Sequence, residues 1–369
     1  MADTPPKSPA SPAPRTPSSA GSHAAAAPAA PATPAQATSP RALAAVPASV
    51  GVLEADASVH QLPTGAISDT ASLTSSIFRY RVENGRRYHA YKEGSYYMPN
   101  DDRESERLDL QHNLNLLMQD NQLYICPAGK DPDKPLRRVL DGGCGTGIWS
   151  IELADECPET AVVGVDLSPI QPGFVPPNVE FFVDDLEAEW TYVSRFDLVY
   201  LRHLNGSIRD WDRLVGQAYQ HLAPGGYLEM CETVSPLRAD DGSLPADSAL
   251  GRWSRLIHDA AAAFSSPIDA ALRHRQRMAD AGFRNVTQVE YRWPTNPWPR
   301  DAKYKDVGSW CYFNLLDSLQ AASLFLFTNV LGWSPDAVEV FLVDVRKDLK
   351  NRNIHAYFPV LVVYGQKPE

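Results

Sequence analysis

Cysteine is scarce in this chain and is never closely paired. The five cysteines (Cys126, Cys144, Cys157, Cys231 and Cys311) contain no C-x-x-C motif, and an odd number does not suit a disulfide framework. This pattern favours a reducing intracellular compartment in which most of them act as small buried apolar side chains. No two histidine or acidic residues stand at the spacing of a known metal motif, so we predict no metal site.

Long apolar runs and an excess of positive charge are also missing. No apolar run approaches the roughly 18 residues that a membrane helix needs, and the start of the chain lacks the apolar core of a signal peptide. We therefore expect a soluble protein in the cytoplasm or the nucleus, with no membrane partner. The 34 Lys and Arg residues are outnumbered by 45 Asp and Glu, and no basic cluster is present, so direct nucleic-acid binding is not expected.

Composition divides the chain into a tail and a folded part. Residues 1–50 consist mainly of Ala, Pro and Ser, which leaves too few large apolar side chains to offset the entropy of ordering. We predict a disordered tail over residues 1–77 and one folded domain over residues 78–369. Within that domain we expect an N-terminal helical cover (78–135), a core (136–235) and a C-terminal half (236–369) whose helical insertion at about 300–350 forms a lid.

Strand and helix patterns alternate from Arg138 onwards. Strands are predicted at 139–140, 161–165, 179–183, 196–201, 227–231, 286–293 and 357–364, with helices at 102–123, 148–155 and 211–222 among others. Such alternation is typical of an α/β fold with a doubly wound, mainly parallel sheet.

A glycine-rich turn lies between the first strand and the first crossover helix. It reads Asp141-Gly-Gly-Cys-Gly-Thr-Gly147, and glycines at such a turn let backbone amides approach a ligand while the helix N-terminus favours its negative group. A dinucleotide loop of the G-x-G-x-x-G type would need glycine where Ile148 stands. The spacing of Gly143, Gly145 and Gly147 instead matches the methyltransferase loop that binds S-adenosyl-L-methionine, although such clusters also occur in plain turns.

Acidic residues end the next two predicted strands. Asp166, 19 residues after Gly147, can accept hydrogen bonds from both ribose hydroxyls, and we include its neighbour Leu167 in the predicted site. Asp184 or Asp185, with Asp185 preferred, can accept from the adenine amine while Leu186 donates its backbone amide to the ring. A single aspartate at a strand end can equally be a cap, but three at one edge favour a binding site.

Several longer runs make the sequence similar to a known family. They are TASLTSSI (70–77), ENGRRYHAY (83–91), PND (99–101), GTGIW (145–149), GVDLSPIQP (164–172) and RHLNGS (202–207). Together they resemble the fungal LaeA-like methyltransferases. The resemblance implies a class I, Rossmann-like sheet with an antiparallel last strand, a filamentous fungal source and a role in secondary metabolism.

The same resemblance leaves two roles open. One is an enzyme that methylates an O or N atom of a small metabolite, and the other is a nuclear regulator that acts through protein partners. The run DDLEAEW (184–190) departs from the pattern of the regulator and favours the broader LaeA-like group.

Four further residues are candidates for work near the methyl group. His203, just beyond the fourth strand, is placed either to act as a general base or to pack structurally, and Arg202 either lines the methionine moiety or forms an ordinary ion pair. Tyr88 and Tyr91 either cover the sulfonium with aromatic faces or belong to the core.

Overall fold

A short β-hairpin opens the part of the chain that the computed structural model describes, residues 80–92 and 96–369. Strands β1 (Arg81–Glu83) and β2 (Arg86–Tyr88) pair antiparallel around Asn84 and Gly85, which both have positive φ angles, as a tight Asn-Gly hairpin turn requires. The predicted helical cover therefore begins with a hairpin. The predicted tail, residues 1–77, lies outside the described residues.

One mixed sheet of seven strands forms the centre of the fold. Its order is β5-β4-β3-β6-β7-β9-β8, and β9 runs antiparallel to both of its neighbours while β3 to β7 are parallel to one another. The strands are β3 (Arg138–Gly142), β4 (Ala161–Asp166), β5 (Val179–Val183), β6 (Phe196–Arg202), β7 (Leu222–Thr233), β8 (Arg284–Pro294) and β9 (Tyr357–Gln366). The predicted fold class, with its antiparallel last strand, is confirmed.

Helices cover both faces of this sheet. They are α1 (Asp102–Met118), α2 (Ile148–Glu156), α3 (Trp211–His221), α4 (Ala249–Ala263), α5 (His274–Asp280), α6 (Ala302–Asn329) and α7 (Pro335–Lys350), with a 3-10 turn at Ala270–Arg273. Helix α1 is shorter than predicted because Asp120 and Asn121 adopt positive φ angles that a helix cannot continue through. Strand β7 begins five residues earlier than predicted, since pairing of Leu222 with Phe196 precedes the irregularity at the glycines.

The late insertion is helical, as predicted, and its first helix, α6, packs against α1. Helices α6 and α7 share a large apolar core with α1, α4 and β9, which includes Leu114, Trp253 and Phe327. Among the residues that the structure describes, no helix combines the length and apolarity needed to cross a bilayer.

Candidate functional site

A cavity lies at the edge of the sheet where the parallel strands end. Most of the predicted site residues line it: Gly143, Gly145, Asp166, Leu167, Asp184, Asp185, Leu186, Arg202 and His203. Four predicted residues are absent from its lining, namely Asp141, Gly147, Tyr88 and Tyr91. This is the edge at which doubly wound sheets bind ligands.

The glycine loop owes its shape to positive φ angles and close packing. Gly143 has φ +72°, and a Cβ there would stand 2.2 Å from Leu204 Cδ2. Gly147 has φ +80° at the N-terminus of α2, where a Cβ would stand 2.4 Å from the Phe181 ring. Gly143 therefore forms the cavity wall directly, whereas Gly147 lets α2 begin close to β5.

Asp141 supports the loop from behind. Its carboxylate is buried and accepts a hydrogen bond of 2.7 Å from the Ser150 hydroxyl of α2. Burial raises the pKa of Asp141 to about 6. The acidic residue before the glycines thus ties β3 to α2 instead of lining the cavity.

Asp166 connects the loop after β4 to the glycine loop. Its Oδ2 accepts from the Gly145 amide and its Oδ1 from the Ser168 amide, both at 2.9 Å. Burial raises the pKa of the carboxyl group, against hydrogen bonds from the backbone amides of Gly145, Ser168 and Leu167. Since a carboxylate has about four acceptor positions, Asp166 still has capacity to accept from a ligand.

The acidic pair after β5 lies at the far end of the cavity. Asp185 Oδ1 accepts from the Glu187 amide at 2.9 Å, and its Oδ2 lies 3.4 Å from Lys92 Nζ. Asp184 is more exposed and caps the Asp185 amide at 2.8 Å. The ion pair with Lys92 joins the N-terminal segment to this end of the cavity.

Arg202, at the end of β6, is held by a histidine of α1. One guanidinium nitrogen, Nη2, lies 3.0 Å from His112 Nδ1, and His112 Nε2 lies 2.8 Å from Glu152 Oε2 on α2. The His112 side chain is fully buried, and burial together with the charge of Arg202 lowers its pKa.

His203 is paired with a buried amide. The Asn115 amide nitrogen Nδ2 lies 2.7 Å from the Gln111 carbonyl oxygen and 3.0 Å from His203 Nε2. His203 Nε2 also lies 3.3 Å from the Asn115 amide oxygen Oδ1, so both polar atoms of this side chain contact the same ring nitrogen. Burial, with the nearby charges of Arg202 and Arg107, lowers the pKa of His203 well below its usual value.

This geometry does not favour the predicted base role of His203. Its Nε2 atom is engaged by the Asn115 amide, and burial with two nearby arginines disfavours the protonated ring that a base must form. The backbone of His203 is also unusual, with φ +55°, and its amide donates to the Cys231 carbonyl at 3.0 Å. The ring is held between Asn115 and Trp293, whose ring centre lies 5.4 Å away.

The polar face of α1 is the largest part of the site that sequence reasoning missed. Glu104, Leu108, Gln111, His112 and Asn115 all line the cavity, and apart from the adjacent pair Gln111 and His112 they stand three or four residues apart. Those intervals place them on one helix face, and this spacing was the available signal. Polar residues on a helix usually face solvent, so the spacing alone does not distinguish a cavity lining from an exposed face.

The predicted cover residues Tyr88 and Tyr91 do not line the cavity, but residues near them in the chain do. Tyr88 is buried against Phe325 of α6, with ring centres 6.4 Å apart, and Arg81 lies over its ring. Its neighbour His89 and the later Tyr96 reach the cavity instead. Tyr88 thus joins the hairpin to α6, and Tyr91 is half-buried outside the lining.

Metal-binding side chains do not gather at this cavity or elsewhere in the described ranges 80–92 and 96–369. Within them, no three His, Cys, Asp or Glu side chains form a group that could hold a metal ion.

Comparison with known proteins identifies the family. A protein-family model described as a methyltransferase domain matches residues 110–288. The methyltransferase pytC of Aspergillus terreus is 39% identical over 317 residues, which cover 86% of this chain and 96% of pytC. The secondary metabolism regulator LAE1 of Cochliobolus heterostrophus is 38% identical over 293 residues, covering 78% and 95% of the two chains. The probable methyltransferase tdiE of Emericella nidulans is 36% identical, covering 83% and 95%.

The sheet order, the glycine loop and these matches define a class I methyltransferase that uses S-adenosyl-L-methionine as its cofactor. The chain belongs to the family of LaeA and LaeA-like methyltransferases. The predicted family, enzyme class and cofactor are therefore confirmed.

Proposed function

We propose that this protein transfers a methyl group from S-adenosyl-L-methionine to an oxygen or nitrogen atom of a small molecule in fungal secondary metabolism. The observation that carries the proposal is the two-sided lining of the cavity. The sheet edge supplies the glycine loop and acidic residues, and α1 supplies a row of polar side chains opposite them. One cavity thus has both groups that suit a cofactor and polar groups that can contact an acceptor.

The residues present suit each part of the cofactor. Asp166 still has capacity to accept from the ribose hydroxyls, and Asp185 with the Leu186 amide suits the adenine. Arg202 suits the methionine carboxylate, next to the side-chain-free wall at Gly143 and Gly145. When bound, the cofactor supplies an activated methyl group on its sulfonium, so the protein has mainly to orient the acceptor.

Neutral polar groups form the proposed acceptor side. His89, Tyr96, Gln111, Asn115 and His203 line it, and burial raises the pKa of the Tyr96 hydroxyl far above its usual value. Tyr96 therefore stays protonated, and burial with the charges of Arg202 and Arg107 keeps His203 neutral. These groups orient an acceptor by hydrogen bonds and do not remove its proton, which suits an acceptor atom that is already nucleophilic.

Calorimetry with S-adenosyl-L-methionine tests the cofactor site. Asp166→Ala should weaken binding at least about tenfold, since two hydrogen bonds to a charged acceptor are lost. Asp155→Ala is the matched control, because Asp155 is exposed on α2 and lies outside the cavity lining. Equal affinity of wild type and Asp166→Ala would refute this assignment.

Label transfer tests the class of acceptor. The protein is incubated with methyl-labelled cofactor and a fungal extract, and the products are separated by size. Label in the small-molecule fraction supports the proposal. Label confined to macromolecules would overturn it.

The alternative function is a regulator that acts through protein partners in the nucleus. A specific observation favours it: Trp310 and Phe313, one turn apart on α6, expose 42% and 57% of their surface. Large exposed aromatics on one helix face are typical of a protein contact. Under this alternative, deletion of the gene lowers the output of many metabolite clusters, whereas loss of a methylating enzyme removes a methyl group from one compound.

A further inference from the structure

Arg86, Arg107 and Arg202 lie close to the cavity, and they differ in whether a carboxylate pairs with the guanidinium. Arg86 makes a 2.6 Å ion pair with Asp101, and Arg107 makes a 2.7 Å ion pair with Glu104. Arg202 lines the cavity, yet within the described part of the chain no carboxylate oxygen lies within 4.0 Å of its guanidinium. Its hydrogen-bond partner is the ring of His112.

The protonation of His112 follows from its two partners. A guanidinium has five N–H donors and no acceptor, so the His112 Nδ1 atom, 3.0 Å from Arg202, must accept. The ring proton therefore lies on Nε2 and is donated to Glu152 Oε2 at 2.8 Å. Glu152 thus selects the tautomer that receives Arg202. The ring stays neutral, because burial and Arg202 disfavour its charged form more than Glu152 and Asp109 favour it.

A neutral partner has a consequence that an acidic one would not have. A carboxylate in place of His112 would hold Arg202 equally well but would neutralise it. The imidazole fixes the direction of the guanidinium and leaves its positive charge available to an anion in the cavity, and Glu152 stays one residue removed from Arg202. The anion that the proposed function brings to this place is the carboxylate of the cofactor.

We propose that His112 is a positioning residue that aims Arg202 at the amino-acid carboxylate of the bound cofactor, with Glu152 setting the tautomer of His112. This inference rests on the proposed function. It assigns to α1 and α2 a part in cofactor binding that lies outside the glycine loop and the strand-end acids.

Two ligands separate this role from a structural one. S-adenosylhomocysteine carries the carboxylate, and 5′-methylthioadenosine has the same adenosine and sulfur without the amino-acid part. His112→Leu and Arg202→Met should each weaken S-adenosylhomocysteine about tenfold or more, as expected for a lost hydrogen bond to a charged group. The double variant should be no weaker than Arg202→Met alone, because His112 acts through Arg202. Affinity for 5′-methylthioadenosine should be the same in all four proteins.

Two milder variants keep the test valid if His112→Leu fails to fold. His112→Asn retains an acceptor near the place of Nδ1 and should stay within about threefold of wild type for S-adenosylhomocysteine, since the hydrogen bond to Arg202 is kept. Glu152→Ala removes the group that selects the tautomer and should weaken that ligand several-fold. Glu156→Ala, exposed on the same helix, is the matched control and should change nothing.

The outcomes distinguish this inference from the proposed function. If wild type binds neither ligand, the proposed function fails. If wild type binds S-adenosylhomocysteine and His112→Leu binds it equally well, the positioning role is overturned while the cofactor site stands. Equal weakening of both ligands, or full additivity in the double variant, would likewise overturn the positioning role.

Discussion

Replacing Arg107 with leucine should destabilise the fold strongly, because this arginine is the centre of a buried polar network. Only 7% of Arg107 is exposed, and its guanidinium donates to Glu104 Oε1 at 2.7 and 2.9 Å. It also donates to Gln111 Oε1 at 2.5 Å and to Asn314 Oδ1 of α6 at 2.8 Å. The network joins the face of α1 that lines the cavity to helix α6.

The magnitude follows from what remains after the change. In Arg107→Leu the buried carboxylate of Glu104 keeps one cation, Arg86, whose Nη2 lies at 3.9 Å and whose Nε also pairs with Asp101 at 2.6 Å. Removing one partner of a buried ion pair costs about 3–5 kcal/mol when the other charge is left without compensation, and the remaining pair with Arg86 places the expected loss at the lower end of that range. We expect a loss of that size in the free energy of unfolding.

Urea unfolding at neutral pH measures this loss, and α1 offers a matched control. Arg103 lies one turn earlier, has a side chain 53% exposed and makes one 3.5 Å contact with Asp317. Arg103→Leu should cost less than about 1 kcal/mol, as exposed pairs do. The double change Glu104→Leu with Arg107→Leu should recover part of the loss, because apolar replacement of both partners is often tolerated. If Arg107→Leu costs no more than Arg103→Leu, the buried network does not stabilise the fold.

Two further changes test the loop and a buried histidine. Gly143→Ala should destabilise by about 2 kcal/mol in urea unfolding, because a positive φ angle and contact with Leu204 both oppose a Cβ; Gly173→Ala, with no atom near its Cβ, should cost under about 0.5 kcal/mol. Burial lowers the pKa of His274 from 6.5 to about 3, so its contribution to stability is complete above pH 6.5 and is lost as the pH falls towards 3. Between pH 7 and pH 5 this loss is about 2 kcal/mol, and His274→Phe should remove that part of the pH dependence; an unchanged pH profile would contradict the assignment.

The sheet edge was predictable because its structure depends on local sequence. Short apolar strands, a glycine loop with required spacing and acids at strand ends follow from backbone geometry and from the chemistry of a nucleoside ligand. Gly143, Asp166 and Asp185 were therefore located in the cavity lining from sequence alone. Asp141 shows the limit of this reasoning, because an acid at a strand end can equally bond inwards to a helix, as it does to Ser150.

The opposite wall was not predictable because it depends on tertiary packing. The apolar residues Leu114 and Met118 of α1 identify a helix but not what its polar side meets. That side is buried only because α6 and the sheet enclose it, and α6 lies some two hundred residues later in the chain. From periodicity alone, Glu104, Arg107 and Gln111 are predicted to lie on a solvent-exposed helix face.

Part of the cavity lining lies before the matched methyltransferase domain in the chain. The matched methyltransferase domain begins at residue 110, so it contains the glycine loop, the strand-end acids and His112. The cavity lining nevertheless includes residues that precede it, among them His89, Tyr96 and Glu104. Asn100, also in this segment, donates to the Ser168 hydroxyl at 3.1 Å, directly beside the loop that Asp166 organises. The N-terminal segment is thus bonded to the proposed cofactor side while its own side chains form the proposed acceptor side. Sequence changes at His89 and Tyr96 would therefore change the proposed acceptor side and leave the glycine loop and the strand-end acids as they are.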